Sequence, residues 1–204
     1  MNRLYIAFLF ILLLASPSYA DFAAGEKAFN DRDFETAWKE LHPLAEAGDA
    51  RAMEAVGCMY LDGNGVKLDY QKAFGWFKKA VEKGNTDAYN NLGFMYTEGL
   101  GVKKDAVKAF DCYFKAAHGN NYMAQATLAA LYYAGIGVKK SGRDALKWFL
   151  IVSQNPASDD EVRESAAAKC AEIEKELDAK RIESAKAQAA TFLKAFKTKK
   201  AAGK

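Results

Sequence analysis

The chain has 204 residues, half of them apolar and 27% charged, with 29 lysines and arginines against 26 aspartates and glutamates and a formal net charge of +3. That length suits one domain or one short array, and the makeup is ordinary for a folded soluble chain. A charge this small, spread over both signs, is not the basic footprint of a nucleic-acid binder. Three prolines and no long Gly/Ser tract argue against flexible interdomain linkers.

The chain begins MNRLYIAFLFILLLASPSYA. Arg3 supplies a short basic start, Leu4 to Ala15 an unbroken apolar run, and Ser18-Tyr19-Ala20 places small residues at the −3 and −1 positions. This is the layout of a secretory signal peptide. The apolar run is shorter than the roughly 20 residues a spanning helix needs, so residues 1–20 are expected to be cleaved between Ala20 and Asp21 rather than kept as an anchor. The expected compartment is the periplasm, or the medium after secretion. Loss of Arg3 takes the formal charge from +3 to +2, since residues 1–20 contain no acid and no other cation. Cys58, Cys112 and Cys170 are odd in number and irregular in spacing. They read as small, semi-buried helical side chains rather than a disulfide framework, with one bridge plus one free thiol as the alternative.

Past the leader, the chain repeats itself. Gly63-Asn64-Gly65-Val66 returns as Gly99-Leu100-Gly101-Val102 and again as Gly135-Ile136-Gly137-Val138, 36 residues apart both times. Tyr60, Tyr96 and Tyr132 precede the turn in register; Ala73, Ala109 and Ala145 follow it, as do Phe77, Tyr113 and Phe149. Upstream, Ala52, Ala88 and Ala124 align, with Gly57, Gly93 and Ala129 five residues on. Each unit reads as two helices. Met53, Val56 and Tyr60 have helical spacing in the first, Ala52 and Gly57 leave room for a second backbone, and Gly63 suits a left-handed helix end. Asp69 and Asp105 cap the second helices, and Ser141 with Asp144 makes a capping-box-like pair. Ala73, Phe77 and Ala80 form a buried stripe, and Gly84 and Asn120 both tolerate the left-handed stop. The turn itself lacks the strand and the Lys-Ser/Thr of a phosphate loop and the acidic spacing of a calcium loop, so it reads as a hinge between stacked helix pairs.

These residues closely resemble the Sel1-like repeat family, a branch of the tetratricopeptide-type solenoids, over about residues 24–156. The resemblance implies an all-α, right-handed superhelix of antiparallel helix pairs that binds proteins or peptides along its concave side. The expected organisation is a degenerate unit at 21–48, repeats at 49–84, 85–120 and 121–156, and C-terminal capping helices with a basic tail at 157–204. In the degenerate unit, Ala24 to Phe29 is a shortened first helix, and Asp33-Phe34 through Ala37, Leu41 and Leu44 to Gly48 is the second. After Asn155-Pro156, Ser158 reads as a cap with acids in the first turn. Val162, Ala166, Cys170, Ile173 and Leu177 continue at helical spacing, followed after an offset near Arg181 by Ile182, Ala185, Ala189, Phe192 and Phe196. Such helices would cover the last apolar face of a solenoid; a partner-binding helix is the rival reading. Lys186, Lys194, Lys197, Lys199, Lys200 and Lys204 make the tail basic. Contact of that tail with an anionic membrane is the lesser reading beside a frayed, solvated terminus.

The two histidines, His42 and His118, occupy non-equivalent positions, and no HExxH, CxxC or G-x-S-x-G motif is present. No catalytic residue, metal or cofactor is therefore expected. Some exported cysteine-rich members of the family are linked to binding or hydrolysing β-lactams, but the cysteine pair per repeat that marks them is absent here. By the family's geometry, first helices line the concave wall. That places Arg51, Glu54, Cys58, Leu61 and Asp62 there, then Asp87, Asn90, Phe94, Thr97 and Glu98, then Met123, Ala126, Ala130, Tyr133 and Ala134. Asn90 would hold an extended peptide backbone, with Phe94 and Tyr133 as aromatic anchors. The expectation is a monomeric, non-catalytic adaptor of the bacterial envelope, with a cell-wall binder or hydrolase, or a host-interaction factor, as alternatives.

Overall fold

The computed structural model describes residues 21–202, with side chains through Thr198; the expected leader, residues 1–20, lies outside the described residues. Its elements are α1 (Phe22–Asn30), α2 (Phe34–Ala47), α3 (Ala50–Asp62), α4 (Tyr70–Glu82), α5 (Ala88–Glu98), α6 (Ala106–His118), α7 (Tyr122–Ala134), α8 (Gly142–Ser153), α9 (Asp160–Glu174) and α10 (Ala179–Ala202), with no strand among the described residues. The first eight form four antiparallel hairpins. Each hairpin's second helix packs on the first helix of the next, so the chain is an all-α solenoid.

Capping sets the helix starts. Asp33, Asp69 and Asp105 accept the amides of Thr36, Lys72 and Lys108 at 3.2, 3.0 and 3.0 Å. Ser141 takes that of Asp144 at 3.2 Å and returns its own hydroxyl to the Asp144 carboxylate at 2.5 Å. First helices have a cap column of their own, which the sequence reading missed. Asp49 accepts from Arg51 and Ala52, Asn85 from Asp87 and Ala88, and Asn121 from Ala124, all within 3.1 Å. Gly63, Gly99 and Gly135 end the first helices with φ of 72°, 74° and 74°, and the amide of each returns to the last turn of its helix.

The second glycine of each turn explains the stacking. A Cβ on Gly65 would lie 2.8 Å from the carbonyl oxygen of Phe34, and one on Gly101 2.6 Å from that of Tyr70. On Gly137 it would lie 2.7 Å from the carbonyl carbon of Ala106 and nearer still to its oxygen. Phe34, Tyr70 and Ala106 open α2, α4 and α6. The turn that joins two helices is thus also the foot on which a unit stands against its predecessor.

Within each unit the core is a stripe of small and large side chains. Ala52, Val56 and Met59 of α3 meet Ala73, Phe77 and Ala80 of α4, all of them fully buried. The room left by Gly57 is not filled by backbone, as the sequence implied, but by a ring: an added Cβ would lie 2.6 Å from Cε1 of Phe77. Gly93 faces Tyr113 in the same way at 2.9 Å, and buried Ala129 takes the position in the third unit.

Beyond α8 the pattern changes. Both α9 and α10 pack on α8, burying Ala166, Cys170, Ile173, Ala185 and Ala189 and covering the last unit as a cap must. Phe192 of α10 stands edge-on to Trp148 at 5.2 Å and reaches back to His118 of α6 at 5.9 Å. Two details correct the sequence reading. Ser158 does not cap α9: it is buried with its hydroxyl unpartnered among the described residues, while Arg163 bonds its carbonyl and pairs with Asp160. The break between the two helices comes before Arg181, at residues 175–178, leaving Leu177 in the turn.

Candidate functional site

First helices α3, α5 and α7 stand side by side, tied by side chains that cross between units. Asn91 donates to Glu54 at 2.9 Å, and Asn121 donates to Asp87 at 2.9 Å. Tyr133 continues the series by donating to Glu176, just past α9, at 2.8 Å. The wall expected from the sequence is therefore a contiguous surface, but its named residues do different things. Arg51 lies at the α1 end, 4.0 Å over the ring of Phe22 and 3.7 Å from Asp49. The Asn90 side chain makes no hydrogen bond among the described residues, whereas its neighbour Asn91 joins the units. Thr97 turns its hydroxyl back to the Gly93 carbonyl at 2.9 Å. Tyr133 is half-buried, with Lys140 over its ring at 5.2 Å.

Two large apolar side chains stay open on this wall: Phe94 is 43% exposed and Met123 58%. Phe94 lies level with Cys58 and Ala130 in the repeat, and Met123 with Arg51 and Asp87. Their neighbours Ala126 and Ala130 are too small to cover them.

Charge divides between the two sides of the solenoid. Helices α3, α5 and α7 hold one cation, Arg51, against Glu54, Asp62 and Glu98, with Asp87 just ahead of α5. Helices α4, α6 and α8 hold Lys72, Lys78 and Lys79, Lys108 and Lys115, and Arg143 and Lys147, against Glu82, Asp111 and Asp144. Among the described residues, Glu54, Asp62 and Asp87 form no ion pair, and Glu98 has only Lys104 at 3.9 Å. Burial raises the Glu54 carboxyl above its ordinary value, with Asp87 adding to the push and the Asn91 and Cys58 donors opposing it. The Cys58 thiol, 3.9 Å from Glu54, is pushed up strongly by burial and by the nearby acids. Cys112 and Cys170 are pushed up to about 11, chiefly by burial. All three cysteines are free.

The other candidate chemistry is packing. His42 stacks on Trp38 at 4.2 Å, and His118 lies between Phe114 at 4.1 Å and Trp148 at 5.0 Å. Among the described residues no cluster of His, Cys, Asp and Glu has a metal-binding arrangement. A cleft of about 700 Å³ at Tyr60, Leu68, Tyr70 and Gly101 is the open crease where two units meet at their turns.

A family model, the Sel1 repeat, matches residues 50–85, 86–121 and 123–151. Among solved structures, the protein is similar to c5321, a protective antigen present in uropathogenic Escherichia coli strains and displaying an SLR fold. The two are 32% identical with a TM-score of 0.69, over 78% of this chain and 33% of that one. It is also similar to a Sel1 repeat protein from Oxalobacter formigenes, 26% identical with a TM-score of 0.64, over 79% of this chain and 63% of that one. The chain thus spans about a third of the first relative's length and under two thirds of the second's. No match was found among curated proteins. The register of the matched repeats is that of the turns and caps described above, and through residues 50–151 the chain belongs to the Sel1 repeat family.

Proposed function

We propose that the protein is an exported, non-catalytic scaffold of the bacterial cell envelope that holds a protein or peptide segment against its wall of first helices. Repeats of this kind generally serve as interaction modules. The observation that carries the reading here is the pair Phe94 and Met123, large apolar side chains left open at 43% and 58% among polar ones on this wall. Exposed large apolar groups beside polar ones are what a recognition surface requires. Export rests on Arg3, the apolar run and the small residues before Asp21.

Crosslinking in intact cells followed by mass spectrometry tests this. Phe94→Ala/Met123→Ala is expected to lose the crosslinked partner while keeping helical circular dichroism. Undiminished recovery with the double variant refutes the wall as the site. Cell fractionation tests the compartment: full-length protein with residues 1–20 intact in the cytoplasm refutes export.

A further inference from the structure

Resting on that reading, we infer that the segment held by the first-helix wall is cationic. It carries lysine or arginine side chains towards Glu54 and Asp87 and an apolar side chain towards Phe94 and Met123.

Glu54 is held at a cost. A half-buried carboxylate with no cation near it is unfavourable. Asn91 and the Cys58 thiol, both neutral, bond only Oε1. The one cation on these helices is spent elsewhere, since Arg51 packs over Phe22 and faces Asp49. Asp87 is likewise held by an amide, that of Asn121. Several acids outside the wall are paired, for Asp69, Asp105, Asp144, Asp178 and Glu174 each have a lysine or arginine within 4 Å. Within α3 to α8 the first-helix wall thus leaves Glu54, Asp62 and Asp87 without cations, while every helical lysine stands on a second helix. Such a surface attracts cationic partners, repels acidic ones and sets the register of what binds. The step from acid to apolar is built in, because Glu54 and Asp87 lie on α3 and before α5, while Phe94 and Met123 lie on α5 and α7. A peptide crossing the helices meets charge first and apolar surface next.

The test uses the mature chain and three fluorescein-labelled decapeptides, alternating lysine–leucine, serine–leucine and glutamate–leucine, read by anisotropy. The lysine–leucine peptide is expected to bind most tightly and to weaken with salt. Glu54→Gln/Asp87→Asn should weaken it about tenfold, the order expected of two partly exposed ion pairs, and leave the serine–leucine peptide unchanged. Phe94→Ala/Met123→Ala should weaken both. If all three peptides bind wild type alike, the charge inference falls and the wall as a binding site stands. If lysine–leucine binding ignores the Glu54/Asp87 change, the inference falls as well. If no peptide binds, both readings fall. Sedimentation of the protein alone is expected to show a monomer. Self-association abolished by the Glu54/Asp87 change would make a second copy, through its lysine-rich side, the occupant, and overturn the proposal.

Discussion

Replacing Gly137 by alanine tests how the units are stacked. The residue has φ of 70°, so a side chain there meets the left-handed penalty of about 1–2 kcal/mol. Its Cβ would also press into the Ala106 carbonyl, within 2.7 Å of the carbon, and backbone at the start of a helix cannot turn aside as a flexible side chain can. Forcing atoms into a packed site adds about 1–3 kcal/mol. Alanine returns about 0.4–1 kcal/mol by stiffening the unfolded chain, which leaves a net loss of about 2–4 kcal/mol. Gly84 supplies the control, for its φ is 91° and an added Cβ would meet nothing within 4 Å. Gly84→Ala should therefore lose only the conformational part, about 1 kcal/mol. Urea unfolding followed by circular dichroism measures both variants, with the shift in midpoint as the readout. Equal shifts would refute the reasoning, because they would make the second glycine of the turn a matter of backbone angle alone.

Glu54→Gln is expected to stabilise the protein at neutral pH. The folded chain raises this carboxyl, so the native state holds a proton more tightly than the unfolded state, and wild type gains stability as pH falls through the raised value. The advantage of the glutamine variant should shrink from about pH 7 to about pH 4; a constant difference in urea midpoint would contradict the assignment. Phe192→Ala should cost about 1–3 kcal/mol, less than a full core deletion because the ring is half-buried. It should also shift tryptophan emission to the red as Trp148 loses its cover, and an unchanged spectrum would show that α10 does not shield that indole. Because burial raises all three thiols, Ellman's reagent should react slowly with the native protein and with three equivalents after denaturation. Rapid native labelling of Cys170 would contradict its burial.

The solenoid could be read from the sequence because its determinants are local and repeated. Left-handed glycines, second-helix caps and the Ala-Phe-Ala stripe each fall at one period, and each depends on a few adjacent residues. What stayed hidden depends on neighbours across units. Asn91 meets Glu54 at a separation of 37, one residue off the repeat, so aligning equivalent columns points to Asn90 instead. Asp49, Asn85 and Asn121 do share the period, and an amide or acid just before each first helix was a usable signal. Gly57 was legible as a gap, but not as a gap for Phe77, since only packing decides whether ring or backbone fills it. Ser158 has the right chemistry for a cap and is overridden by Arg163, which holds its carbonyl and pairs with the first acid of the helix. The path of α10 over α8 to His118 lies beyond the periodic region, where nothing in the spacing specifies a contact.

The nearest contact made by each second glycine is with a main-chain oxygen, and the residues that supply it are aromatic in two units, Phe34 and Tyr70, but alanine in the third, Ala106. The joint is therefore indifferent to which neighbour it receives. Excising one whole hairpin and rejoining the chain would set Gly137 on Tyr70 with no compensating substitution, and duplicating one would extend the series the same way. Adding or removing a single residue in the turn would instead lift that glycine from its seat, so length is free to change here only in whole modules.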